Sequence, residues 1–295
     1  MHKNIAMLVI VSLFLASCTF LKTDIRSPED KLYYGIVSGN LNMVQKAVEK
    51  GFVSLGFSVH SPLPYDNDYA IVDTRLPIYL DEIAKLKAEY EGKIEILSGI
   101  ELDADSEIDL APFDYVISSV HQLQGENTGR IYAVDNTPEE LVELINTEFD
   151  GDPLSMAQRF YEVSEKAALR DGVHIVGHFD LISKFNDTLH IFDDRDPHYL
   201  GFARNAIFNI LRQKPGMMFE VNTGAMYRYG KMNPYPSAQM LSVIFNNGGR
   251  VILSSDAHNA HSLDFAFDDA INECKKAGFT CVWRLRKGGI EKINF

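Results

Sequence analysis

RVILSSDAHNAH, residues Arg250 to His261, decides the fold. Three apolar β-formers, Val251, Ile252 and Leu253, run directly into Ser254-Ser255-Asp256-Ala257-His258. A buried strand thus ends by presenting a carboxylate and an imidazole at its C-terminal edge. In a barrel or an open sheet covered by helices, that edge is where chemistry is placed. Asp256 and His258 are two residues apart, and side chains on extended backbone alternate, so the two point the same way. Together they offer an oxygen and a nitrogen to a borderline metal. The competing reading has His258 capping a loop and Asp256 opening the next helix.

The rest of the chain alternates in the same manner. Strand-like runs fall at Val53–Ser58, Ile94–Gly99, Tyr115–Val120, His174–Gly177, Met218–Val221, Val251–Ser254 and Cys281–Leu285. Between most of them lie helical patterns at Leu76–Tyr90, Pro138–Phe149, Leu154–Arg170, Tyr199–Gln213, Ala238–Asn246 and Phe265–Ala277. Strand and helix repeated in this order predict an α/β fold with parallel strands and right-handed crossovers.

The residues that follow these strands share one character. His60 follows the first run, Glu101 the second, His121 the third, His178 the fourth, and Asp256 with His258 the sixth. A lone histidine at a strand end is usually structural, and His174, His190 and His198 are read that way. Five C-terminal edges carrying imidazoles and carboxylates on one barrel face instead predict a multinuclear transition-metal site. Metal ions a few ångströms apart clamp the attacking and leaving oxygens of a phosphate ester, and a bridging carboxylate suits that geometry. Glu101 is the best placed for that role.

The formal net charge of −13, with no clustered Lys or Arg, excludes a nucleic-acid-binding surface. A small anionic substrate therefore needs a local metal or basic group against the overall field. Arg228 and Lys231, in the loop after Glu220-Val221-Asn222, are the candidates for phosphate, and Arg suits it better through its bidentate fork. Both could equally be solvated loop charges, and Asn222 either positions substrate or caps the turn before Gly224. Cys274 sits in a helical pattern and Cys281 in a strand pattern, so both read as buried hydrophobes rather than a disulfide or a zinc ribbon.

The first 18 residues follow another logic. Lys3 precedes the apolar run Ile5–Leu15, and Ala16-Ser17-Cys18 places small residues before a cysteine. This resembles a bacterial lipoprotein signal, with Cys18 acylated and the protein tethered to a membrane surface. Residues 19–50 read as a linker and a helix pair broken at Ser38-Gly39-Asn40, similar to part of an ankyrin repeat. The second helix could equally be the first outer helix of the domain at 51–295.

GFSVHSPL, SGIELDAD, ISSVHQL, GHFDLISKF, FEVNTGA and ILSSDAH, in this order, resemble the polymerase-and-histidinol-phosphatase (PHP) family and its histidinol-phosphatase branch. The resemblance implies a distorted (β/α)7 TIM-like barrel, up to three divalent ions of zinc, manganese or iron, and hydrolysis of L-histidinol phosphate in histidine biosynthesis. It implies His60, Glu101, His121, His178, Asp256 and His258 as metal ligands. Glu101, His121 and His178 would share one ion, with His60 and His258 at another. Glu101, Asp256 and His258 would carry catalysis, in a cytoplasmic enzyme if the signal is not used. Family members begin with a strand ending in His-x-His, whereas His2 is the only histidine here before His60. A barrel missing its first strand, holding fewer ions and turning over slowly, is therefore expected. The alternatives are a non-catalytic, membrane-tethered binding module and a fusion product of a truncated barrel.

Overall fold

The computed structural model of the protein describes residues 8–12, 40–65 and 69–295. In chain order the elements are β1 (Leu8–Ser12), α1 (40–49), β2 (Ser54–His60), α2 (Leu76–Glu89), β3 (Glu95–Asp103), β4 (Tyr115–Ser119), β5 (Gln122–Gln124) and β6 (Ile131–Ala133). They continue with α3 (Pro138–Glu148), α4 (Pro153–Ala168), β7 (Ile175–Val176), α5 (Asn186–Leu189), α6 (Pro197–Gln213), β8 (Met218–Asn222) and α7 (Gly224–Tyr229). The chain closes with α8 (Ala238–Asn246), β9 (Arg250–Ser254), α9 (Phe267–Ala277), β10 (Cys281–Arg286) and β11 (Gly289–Asn294).

Helix starts are written into the local sequence. Thr137, Asp152 and Asp196 each accept a hydrogen bond from a backbone N–H of the first turn, and each is followed by a proline whose missing N–H costs nothing there. Parallel pairing orders the main sheet β1-β2-β3-β4-β7-β8-β9-β10, and β11 closes it as an antiparallel edge. β1 also returns to lie near β9, so the sheet curls toward a barrel.

Because strand residues alternate, the curled sheet has two cores. Leu55, Phe57, Ile96, Ile100, Val116, Phe219, Val251 and Leu253 face outward into the layer shared with the helices. Leu97, Tyr115, Ile117, Ile175, Met218, Ile252 and Leu285 form a separate cluster inside the barrel. That inner cluster floors the barrel beneath the C-terminal strand ends.

One expectation is revised. The first-strand position is not vacant: β1 pairs with β2 in parallel from Leu8 opposite Ser54 to Ser12 opposite Ser58. The run read as a signal core, Leu-Val-Ile-Val, is equally rich in β-formers, and the open edge of β2 accepts it. Helix α1 joins the barrel, with Met43, Val44 and Ala47 buried in the outer core and Asn40 Nδ2 donating to Glu82 Oε1 of α2 at 3.2 Å. Cys18 and the first of the two ankyrin-like helices lie outside the described residues. Cys274 is buried and Cys281 half-buried, both as free thiols. Burial pushes the Cys274 thiol up to about 12.

Candidate metal centre

Strand β3 builds the centre by period two. Leu97 belongs to the inner floor, Gly99 leaves room for the Tyr115 ring, and Glu101 and Asp103 follow on the same inward face. Adjacent strands are in register, with His60 of β2 opposite Glu101 and Ser119 of β4 opposite Asp103. His121 follows β4 and His178 follows β7. His60, Glu101, Asp103, His121 and His178 are all buried, at 3–7% exposure, which is unusual for so many titratable groups.

Glu101 Oε1 lies 2.9 Å from His178 Nε2 and 3.5 Å from His121 Nε2. A tetrahedral ion with bonds of about 2.0–2.2 Å separates its donors by roughly 3.3–3.6 Å, so the His121 contact has that spacing while the His178 contact is a hydrogen bond that opens by a few tenths of an ångström to admit an ion. Glu101 Oε1 also accepts from the Ser119 hydroxyl at 2.8 Å. His121 Nδ1 lies 2.7 Å from Asp103 Oδ1, so the imidazole is oriented by a carboxylate while its other nitrogen faces Glu101. On the far side, Glu220 Oε2 accepts from the His178 backbone N–H and from Asn222 Nδ2.

The electrostatics follow from burying opposite charges together. Burial alone would depress the His60 imidazole, but the Glu101 charge and the Asp103 carboxylate carry it up to about 9. Burial likewise opposes His178, whose contact with Glu101 raises it to about 9. Burial pushes Glu101 upward, and the three surrounding imidazoles, His60 first, hold it far below its ordinary value. Glu220 is raised by burial, against the nearby His178. Imidazole and carboxylate donors of this kind suit zinc, manganese or iron.

Asp256 and His258 differ from their expected placement. Asp256 has φ of 43°, so the backbone leaves the extended conformation and the period-two argument fails there. The Asp256 carboxylate pairs with Arg228 at 2.7 Å, and Arg228 also donates to the Asp256 carbonyl at 2.6 Å. His258 Nε2 is 3.3 Å from Asp256 Oδ1. Among the described residues, two sets of three donors converge, Glu101/His121/His178 and His60/Asp103/His121, and neither includes Asp256 or His258. His60 accordingly keeps company with Glu101 and Asp103 rather than with His258.

Above the buried donors opens a cavity of about 720 Å³, walled by Tyr65, Tyr69, Lys184, Asn222, Arg228, Asp256 and His258. Asn222 and Arg228 thus reach it, whereas Lys231 turns away, its ammonium 3.3 Å from the Ser183 carbonyl and 3.4 Å from Asp187. Two groups were missed in the sequence. Lys184 is the second cation on the cavity wall, signalled only by its place in GHFDLISKF. Asp103 was legible from its two-residue spacing to Glu101 on a strand. Of the structural histidines, His174 Nδ1 accepts from the Val116 backbone N–H, His190 caps α5 and His198 lies in the first turn of α6.

Residues 41–224 match the PHP domain family. A protein of Deinococcus radiodurans described as "Probable histidinol-phosphatase" is 30% identical over 254 residues, covering 82% of this chain and 89% of that one. The histidinol-phosphatase of Bacillus subtilis is 26% identical over 251 residues, covering 78% and 91%. The crystal structure of a histidinol phosphate phosphatase from Lactococcus lactis, complexed with zinc, L-histidinol and phosphate, superposes with a TM-score of 0.56 at 20% identity over 97% of this chain and 99% of that one.

Proposed function

The chain belongs to the PHP domain family, and from that premise we propose that it is a metal-dependent phosphomonoesterase hydrolysing L-histidinol phosphate to L-histidinol and phosphate, a step of histidine biosynthesis. The observation that carries this reading is the buried Glu101/His121/His178 set at the base of a cavity with two cations on its wall. When bound, a divalent ion supplies Lewis acidity, activating water near neutral pH and polarising a phosphoryl oxygen.

The chain's own groups divide the remaining work. Glu101, His121 and His178 hold the ion, with Asp103 and Glu220 fixing the two histidines from behind. Arg228 and Lys184 offset the ester's negative charge, which a protein of net charge −13 would otherwise repel. Asp256, held well below its ordinary range by Arg228 despite burial, stays ionised and can orient attacking water by accepting its hydrogen bond. His258, partly open to the cavity at 21% side-chain exposure, can return a proton to the leaving oxygen of L-histidinol. Asn222, held by Glu220 and within 3.4 Å of Asp256, steadies that carboxylate.

Purified protein supplied with manganese or zinc is expected to release phosphate from L-histidinol phosphate. The rate should fall below that of relatives, because the His-x-His donors are missing. His178→Gln should cost more than the ~10–100-fold typical of losing a residue that merely supports a ligand. No phosphate release at high enzyme concentration would sink the assignment.

A second reading concerns location. Lys3, the apolar run to Leu15 and Ala16-Ser17-Cys18 favour lipidation at Cys18 and a membrane-surface tether, in place of a cytoplasmic enzyme. Cells fed a fatty-acid analogue should then label the protein, with the label lost in Cys18→Ala. An unlabelled protein of full-length mass speaks for the cytoplasmic form.

A further inference from the structure

The main chain of Asp103 is gripped from both sides. Its N–H donates to Ser61 Oγ at 3.0 Å, and its carbonyl accepts from Arg170 Nη1 at 3.3 Å. The same guanidinium donates to the carbonyls of Ala104 at 3.3 Å and Ser106 at 2.6 Å. Asp103 is the last residue of β3, where the ladder hydrogen bonds stop, so the peptide groups beyond it need other donors. Arg170 supplies them from just past the C-terminus of α4, half-buried and 67 residues away in the chain. Its own carbonyl accepts from Lys214 Nζ, which also donates to the Ala168 carbonyl at 3.1 Å, so the base of this arm is fixed as well. A planar fork of five N–H donors can span three carbonyls in this way, whereas an ammonium offers no such fork.

Asp103 Oδ1 lies 2.7 Å from His121 Nδ1, and His121 Nε2 faces Glu101. Whatever sets the Asp103 backbone therefore sets the His121 ring. We propose that Arg170 is a positioning residue for the metal centre: by pinning the Asp103, Ala104 and Ser106 carbonyls it aims the Asp103 carboxylate at His121. Arg170 does not itself line the cavity, so it acts only through Asp103. A functional constellation has to be held within about 0.5 Å, a tolerance that a strand end without its supporting donors does not meet. The inference rests on Glu101, His121 and His178 holding an ion, but not on which ester is hydrolysed.

The test reads metal affinity rather than turnover. When metal-free protein is titrated with Co2+, Arg170→Met is expected to weaken binding of the first equivalent by about 10-fold, the lower end of what losing an outer partner of a ligand costs. Arg170→Lys, which keeps the charge and the stem but not the fork, should lose less. Arg159→Met, on the same helix with an exposed partner in Glu126, should bind like wild type. A double-mutant cycle separates positioning from a merely structural role: if Arg170 acts through Asp103, Arg170→Met adds nothing to the loss already caused by Asp103→Asn. Circular dichroism checks folding, and if Arg170→Met does not fold, the cycle is run with Arg170→Lys. Unchanged affinity in the folded Arg170 variant, or losses that add in the cycle, overturn the inference and leave the centre standing. A wild-type chain that takes up no Co2+ overturns both. Phosphate release is assayed separately, so failure of the phosphatase reading and failure of this inference remain distinguishable.

Discussion

Asp256 and Asp103 obey the same spacing rule with different outcomes. Glu101 and Asp103 are two apart on a continuous strand and share a face. Asp256 lies just past the end of β9, and its left-handed backbone breaks the alternation before His258. What stabilises that conformation is the Arg228 guanidinium, which grips both the carboxylate and the carbonyl of Asp256. Gly224 permits this approach, since a Cβ there would press on the Asp256 side chain and the guanidinium. Arg228→Ala leaves a largely buried carboxylate without its cation, a loss of about 1–3 kcal/mol measurable by denaturant unfolding. The same change should raise KM for the phosphate ester more than Lys231→Ala, whose side chain is turned to Ser183 and Asp187.

At the scale of elements, the inward rows of β2, β3 and β4 divide labour along their length. The lower positions fill the barrel and the upper ones carry ligands. Tyr115 fills the interior because Gly56 and Gly99 face its ring from β2 and β3, and a Cβ at either would collide with it. Tyr79 of α2 adds a hydrogen bond to the Gly99 carbonyl at 2.8 Å. Gly99→Ala overpacks this fully buried contact and should cost about 1–3 kcal/mol in unfolding free energy. Because Glu101 is two residues further along the same strand, Zn2+ affinity should fall with it. The strand and helix patterns were legible here since period-two and period-3.6 burial operate within single elements. The β5–β6 hairpin and β11 were not, because they are short or edge pieces that bury little.

Across the whole molecule, the N-terminal run illustrates a local pattern with two physical outlets. Leu8–Ser12 is apolar enough for a signal core and β-prone enough to pair with β2. Cleavage before Cys18 would remove β1 and leave the parallel edge of β2 open, a known route to association between chains. A mature protein that keeps β1 closes that edge with its own backbone. Local sequence patterns alone determined the α/β alternation and the collection of His and Glu at strand ends, whereas the helix starts at Thr137, Asp152 and Asp196 rest on side-chain capping rather than periodicity. The grouping of Glu101, His121 and His178 came instead from the resemblance to the PHP family, since His60 follows its strand at the same edge as they do. Tertiary structure alone decided that Arg228 pairs with Asp256, that Lys184 reaches the cavity while Lys231 does not, and that β1 fills the first-strand position. Those outcomes depend on which side chains converge across strands far apart in the chain, and no pattern within one element records that distance.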